Sequence, residues 1–335
     1  MAALLEVEDL HVTLETSRGP ADAVRGVSFA LQRGETLGIV GESGCGKSMT
    51  ALGLIGLLPE RARTRGAVRL DGRDLLAMTE AELCGIRGNR IAMIFQEPMT
   101  SLNPVHPVGR QIAEPLMLHR GLSRAAAREE ALKLLDRVGI PNPAARIDAY
   151  PHQMSGGQRQ RVMIAIALSC NPDILLADEP TTALDVTIQG QILDLIRDLV
   201  DERGMALILI SHALGVIAEN TRRMLVMYGG RVVESGPVGE VFGRMAHPYT
   251  RGLFAAIPRL GDGRARDRAR PLATIPGTVP ELADMPPGCA FAPRCDLALE
   301  ACRVPPVPAV SIGHDHEAVC IRTDQTVGQP GEGRP

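Results

Sequence analysis

The chain is poor in aromatic residues: it has no Trp, three Tyr and five Phe in 335 residues. A core must therefore be assembled from Leu, Ile, Val, Ala and Met. Few rings are left on which nucleic-acid bases could stack. The net charge is only −3, so nucleic acid gains no support as a partner. No apolar run reaches the length that a membrane-spanning helix requires; the stretches 51–58 and 162–169 are short. The segment Met1–Glu6 lacks the basic start and long apolar centre of a signal peptide. These absences predict a place on the cytoplasmic side, with any membrane association made through partners. Seven cysteines in that compartment do not read as a disulfide framework. Cys45, Cys84 and Cys170 are scattered, whereas the other four gather near the end of the chain.

Against this background one stretch stands out. Gly41-Glu42-Ser43-Gly44-Cys45-Gly46-Lys47-Ser48 has the pattern G-x-x-x-x-G-K-S of a phosphate-binding loop. The apolar run 36–40 before it is strand-like, and 49–55 after it can continue as a helix. Glycines let the backbone turn tightly and bring N–H groups toward an anion, and the helix N-terminus adds partial positive charge. Lys47 can reach β- and γ-phosphates, and the Ser48 hydroxyl can ligate Mg²⁺. The bland alternative, a glycine turn with a chance Lys-Ser, does not call for that strand and helix.

The rest of the chain arranges itself around the loop. Residues 4–37 alternate in strand fashion around a break at Arg18-Gly19-Pro20, which predicts a small antiparallel sheet. Residues 66–72 and 90–95 are further short strands, the second running into Gln96. Prolines at 98, 104 and 107 mark a loop, and a helical pattern follows from 108 to about 138. A helical insertion over about 97–158 is expected. Residues 174–177 form a buried strand ending in Asp178-Glu179, a strand that such proteins are expected to place beside the one feeding the loop. The Asp would hold Mg²⁺ and the Glu would deprotonate a water; alone, the pair could be surface carboxylates. Residues 188–203 read as an amphipathic helix, 205–210 as a buried strand ending at Ser211-His212, and 224–234 as a hairpin about Gly229-Gly230. Ser155-Gly156-Gly157-Gln158 opens another helix and is a second anion-receptive end, or simply a capped helix. Two such ends in one chain make sense if two copies meet head to tail, each lending one end to a shared ATP.

This ordered set resembles the ATP-binding subunits of ABC transporters over essentially the whole chain. Gly41–Ser48 matches Walker A, and 174–179 matches Walker B with the catalytic glutamate. Met154-Ser155-Gly156-Gly157-Gln158 resembles the signature motif, with Met where Leu is usual. Gln96 matches the Q-loop, Ala183-Leu184-Asp185 the D-loop and His212 the switch histidine. The resemblance implies an α/β fold: a P-loop NTPase core sheet with an antiparallel β subdomain and a helical subdomain. It implies ATP on Gly41, Glu42, Ser43, Gly44, Cys45, Gly46, Lys47, Ser48 and Met49, completed by Ser155, Gly156, Gly157 and Gln158. It implies Mg²⁺ on Ser48, Gln96 and Asp178, and hydrolysis by Glu179, His212 and Gln96. Two positions depart from the family. Leu14 stands where an aromatic residue usually stacks on adenine, and Ala213 follows His212 where Asp is common. Cys45 occupies a variable position and reads as filler.

The segments 95–104, 247–251, 275–280 and 286–295 resemble the dipeptide/oligopeptide importer branch, which also carries nickel, opines, glutathione and some sugars. The resemblance implies a related, non-identical second ATPase subunit, two transmembrane permease subunits and an extracytoplasmic solute-binding protein. It places the chain peripherally on the cytoplasmic face of the inner membrane. A soluble ABC ATPase acting on DNA or ribosomes would need a second cassette or a coiled-coil or zinc-hook insertion, and neither is visible. The ATPase domain is expected over 1–257, a small irregular cysteine-rich extension over 258–322 and a disordered tail over 323–335. Cys289, Cys295, Cys302 and Cys320 have the spacing C-x5-C-x6-C-x17-C. Four such thiols favour a metal over disulfides. Branch members with such a tail carry a [4Fe-4S] cluster, so that cluster is expected, with Zn²⁺, for which His314 and His316 lie nearby, and free thiols as the alternatives.

Overall fold

The computed structural model describes residues 3–97, 101–182, 184–257 and 274–327. The chain opens with two long strands, β1 (Leu5–Thr16) and β2 (Gly19–Leu31), joined at the expected break. Strand β3 (Thr36–Val40) leads through the glycine loop into helix α1 (Lys47–Leu54). Strands β4 (Arg63–Leu70) and β5 (Arg73–Asp74), helix α2 (Glu80–Ile86) and strand β6 (Ile91–Ile94) follow. The first sheet has the order β2-β1-β4-β5 and is antiparallel throughout.

The insertion is helical, as its periodicity requires. Helices α3 (Val108–Arg120), α4 (Arg124–Arg137) and the short α5 (Pro143–Arg146) precede α6 (Gly156–Leu168). Their buried residues, such as Ile112, Leu116, Leu135 and Val162, join one apolar cluster with strand residues of the main sheet. The charged run 124–130 turns mostly outward, with Ala127 buried beneath it.

The chain then returns to the core through β7 (Ile174–Asp178), α7 (Val186–Arg203), β8 (Ala206–Ser211) and α8 (Leu214–Asn220). The hairpin β9 (Arg223–Tyr228) and β10 (Arg231–Pro237) turns at Gly229 (φ +54°) and Gly230 (φ +79°), as a two-residue primed turn demands. Helices α9 (Val238–Arg244) and α10 (Pro248–Ala255) complete this part. In the extension lie β11 (Val310–Gly313), β12 (His316–Ala318) and one helical turn, α11 (Thr323–Thr326). The second sheet runs β11-β12-β10-β9-β3-β8-β7-β6 among the described residues, with β9-β3-β8-β7-β6 parallel.

A parallel sheet must be covered on both faces. On β8, Leu207 and Leu209 pack with the helical insertion's cluster, while Ala206, Ile208 and Ile210 pack with α1 and the antiparallel sheet. Each fully buried Leu or Ile here is worth roughly 1.5–3 kcal/mol.

Three expectations change. The strand ending in Asp178 does not lie beside β3: β8 is inserted between them. The insertion brings the end of β8, and so His212, beside Glu179 at the end of β7. The extension is not wholly irregular, because β12 pairs antiparallel with β10 and extends the main sheet. Nor is the chain from 323 simply disordered. Thr326 is buried, and its hydroxyl donates to the Ala246 carbonyl at 2.6 Å. Residues 258–273 and 328–335 lie outside the described residues.

Candidate active site

The loop needs its glycines for space as well as for freedom. A Cβ on Gly41 would sit 2.2 Å from the Met227 carbonyl oxygen of β9. Gly46 has φ +98°, and a Cβ there would lie 2.5 Å from the Ala23 oxygen. Lys47 is buried, and its Nζ donates to the carbonyls of Gly41 (2.8 Å) and Glu42 (3.0 Å). Ser43 and Gly44 are exposed at the tip. Cys45 is fully buried, and burial pushes its thiol pKa up, which suits packing and not reactivity. Glu42 does not aim at the space in front of the loop. Its N–H donates to Tyr249 Oη at 2.8 Å, and its carboxylate receives a fork from Arg294 at 2.6 and 3.2 Å.

The acidic end lies next to the loop. Asp178 is the last residue of β7 and is buried. Burial raises its pKa, against a hydrogen bond from Ser48 and the charge of Lys47. Its Oδ1 is buried without a partner among the described residues. A buried orphan carboxylate oxygen beside a serine hydroxyl is a fit site for a hard cation such as Mg²⁺. Glu179, with φ +45°, has the left-handed backbone that non-glycine residues seldom adopt. Three side chains converge on its carboxylate. Thr182 Oγ1 donates at 2.9 Å and Gln96 Nε2 at 3.2 Å, and His212 Nδ1 lies 3.1 Å away. These groups come from four separate parts of the chain, and the fold makes them one site.

A family model described as ABC transporter matches residues 24–182. A second, described as oligopeptide/dipeptide transporter, C-terminal region, matches residues 233–302. A Brucella abortus protein named for peptide import ATP-binding is 52% identical over 327 residues, 95% of this chain and 97% of its own. A Brucella suis protein of the same designation is 53% identical over 320 residues, 95% of each chain. The chain belongs to the ATP-binding subunits of ABC transporters, in the peptide-import branch. The fold agrees. A dimeric ATP-binding cassette in a post-hydrolysis state bound to ADP and Pi matches with TM-score 0.63 and 29% identity, over 70% of this chain and 98% of that one. A Clostridium perfringens protein that is part of the ABC transporter complex cbiONQ matches with TM-score 0.60 and 27% identity, over 72% and 91%.

The remaining motifs of this ABC subunit stand apart from the loop-and-acid site. Ser155 is exposed, and its Oγ accepts from the Gln158 N–H at 3.3 Å while Gln158 Oε1 accepts from the Ser155 N–H at 3.1 Å. This capping box closes α6 on itself and leaves Gly156 exposed. Leu184 packs near Gly156, and Asp185 starts α7 without a side-chain cap bond; Ala183 lies outside the described residues. Leu14 is half-buried against the apolar cluster, and Phe29 is buried in it. Ala213 starts α8 with no side-chain cap.

The four tail cysteines form no disulfide. Burial pushes Cys289, Cys295 and Cys320 up, the last to about 11. Backbone N–H groups point at the sulfurs: Leu299 at Cys302 (3.4 Å) and Arg322 at Cys320 (3.3 Å). No group of three or more His, Cys, Asp or Glu among the described residues is spaced to hold a metal ion. His316 is not near-ligand material: its Nε2 lies 2.8 Å from the buried Glu234 carboxylate. Sequence reasoning did not single out Tyr249 or Arg294 as individuals. Both sit inside the branch-specific segments 247–251 and 286–295, and that was their only signal.

Proposed function

We propose that this subunit hydrolyses ATP to drive peptide uptake through a membrane complex. The observation that carries the reading is the convergence of Gln96, Thr182 and His212 on Glu179, next to Ser48 and the buried Asp178. Lys47 leaves the loop carbonyls for the β- and γ-phosphates, and the loop N–H groups receive phosphate oxygens. Ser48, Asp178 and Gln96 would hold Mg²⁺, which would supply positive charge to the phosphate oxygens. Glu179 accepts the proton of the attacking water as its oxygen bonds to the γ-phosphorus and the bond to the β-phosphate oxygen breaks. His212 orients Glu179 and contacts the γ-phosphate. Ser155, Gly156, Gly157 and Gln158 of a second, related cassette close the site from the other side. Closure and reopening move two permease subunits at the cytoplasmic face of the inner membrane, and a solute-binding protein delivers the peptide.

The peptide assignment draws on the relatives' names and on the matched C-terminal region. Titration with a fluorescent ATP analogue and Mg²⁺ tests the nucleotide reading. Lys47→Ala is expected to weaken binding at least tenfold, since it removes a charge-assisted phosphate contact. Binding as tight as the parent's would sink it.

For the tail, we infer that Cys289, Cys295, Cys302 and Cys320 hold a [4Fe-4S] cluster. Four cysteines on one extension, two of whose sulfurs already accept backbone N–H groups, suit thiolate ligation once the sulfurs are drawn together. Anaerobically purified protein should carry about four irons and four sulfides, with broad visible absorbance. One zinc per chain and no iron would overturn the assignment.

A further inference from the structure

Three segments of this chain have no part in the hydrolysis site, yet meet at one point behind the phosphate loop. They are 247–251, 275–280 and 289–295: Arg294 bonds Glu42 and the carbonyls of 275 and 276, while Tyr249 packs on Phe291 and bonds the Glu42 N–H. Its Nη1 and Nη2 fork the Glu42 carboxylate. Its Nε donates to the Pro276 carbonyl at 2.8 Å, and Nη2 also reaches the Ile275 carbonyl at 3.3 Å. The guanidinium lies 5.7 Å from the Tyr228 ring and 5.9 Å from that of Phe291, and its side chain is only 6% exposed. Tyr228, Tyr249 and Phe291 pack edge to face or tilted, with centroids 4.7–5.4 Å apart. In a chain with three Tyr and five Phe, this is a concentrated use of rings. Such pairs favour one relative orientation, so they fix direction as well as burying area.

The object they grip is Glu42. Its carboxylate is taken by Arg294, its N–H by Tyr249 and its carbonyl by Lys47. All three functional groups of one loop residue are thereby held, two of them by residues distant in sequence. The Glu42 side chain is 27% exposed, so the pair is only partly open to solvent.

We propose that Arg294 is a positioning residue for the phosphate loop: it fixes Glu42, and so the backbone N–H fan of 43–48, in the shape that receives nucleotide phosphates. The cysteine-bearing extension is then a working support of the ATP site. The inference rests on the reading of residues 41–48 as that site. An Arg fork is rigid and planar, and a Lys supplies charge without the fork.

The test uses the full chain and Mg²⁺ with a fluorescent ATP analogue, alongside steady-state hydrolysis. Arg294→Ala should raise the nucleotide Kd about tenfold, as loss of a charge-assisted pair does, with the loss falling in KM more than in kcat. Arg294→Lys should recover part of it. Glu42→Gln should reproduce the rise, and the double variant should be no weaker than the poorer single one. If both single variants bind within about twofold of the parent, or if their effects multiply, the proposal fails. A merely structural Arg294 would lower the unfolding midpoint and leave Kd unchanged, which also overturns it. Should Arg294→Ala not fold, Glu42→Gln decides alone, because it leaves Arg294 its carbonyls and rings: weakened binding supports the proposal and parental binding overturns it. Lys47→Ala separates the two readings, since parental binding there removes the ATP site itself.

Discussion

Glu179 shows what one residue costs and delivers. Its left-handed backbone costs of order 1–3 kcal/mol and is kept in place by the Ile210 carbonyl, which accepts its N–H at 3.0 Å. In return the carboxylate faces Gln96, Thr182 and His212 at once. Glu179→Gln keeps that shape and removes the base. Hydrolysis should fall about 10²–10⁴-fold while nucleotide binding stays near the parent's. Steady-state phosphate release beside an equilibrium titration checks both halves, and undiminished turnover would refute the role. The residue type and its place after a buried strand were readable in the sequence. The backbone strain was not, since it follows from the strand β8 beside it.

At the scale of elements, the motif-bearing pieces were the most legible. A glycine loop between strand and helix, a strand ending in acid and a hairpin about Gly229-Gly230 each carry their signal within a few residues. Strand order was not legible, because the insertion of β8 between β3 and β7 depends on which strands pair over long separations. The pairing of β12 with β10 was missed for the same reason: three residues of strand give almost no periodic signal. Helix α8 makes a prediction at this scale. It begins at Ala213, in extended conformation with no side chain to cap the first turn. Ala213→Asp should therefore stabilise the fold by about 0.5–1 kcal/mol. Denaturant midpoints of the two proteins measure this. No gain would mean that an acid near Glu179 costs as much as the cap returns.

For the whole molecule, the buried Glu234 is the hub that ties the extension to the core. It accepts the N–H groups of Ala246 (2.8 Å) and His247 (2.9 Å) and meets His316 of β12. His247 sits beside it, and burial lowers its ring pKa to about 4, with Glu234 opposing. The neutral ring accepts the Tyr249 N–H at 3.1 Å. Unfolded, this histidine protonates near its ordinary 6.5, whereas folded it resists until about 4. Between those values the unfolded chain binds the extra proton, so stability falls as pH drops, by about 1.4 kcal/mol per pH unit. Chemical unfolding at stepped pH should show this slope, and His247→Asn, which retains an acceptor, should flatten it. An identical slope in the variant would assign the loss to other groups.

The Arg294–Glu42 contact joins positions 252 residues apart. On a ribosome, Glu42 of the phosphate loop is made 252 residues ahead of Arg294 and waits for it. A nascent subunit therefore has its Walker A sequence long before it has the grip on it. Stalled chains ending before residue 294 should bind nucleotide more weakly than chains carried past residue 327. The subunit would thus gain its full affinity for ATP late in its own synthesis, once the segment bearing Arg294 has been made.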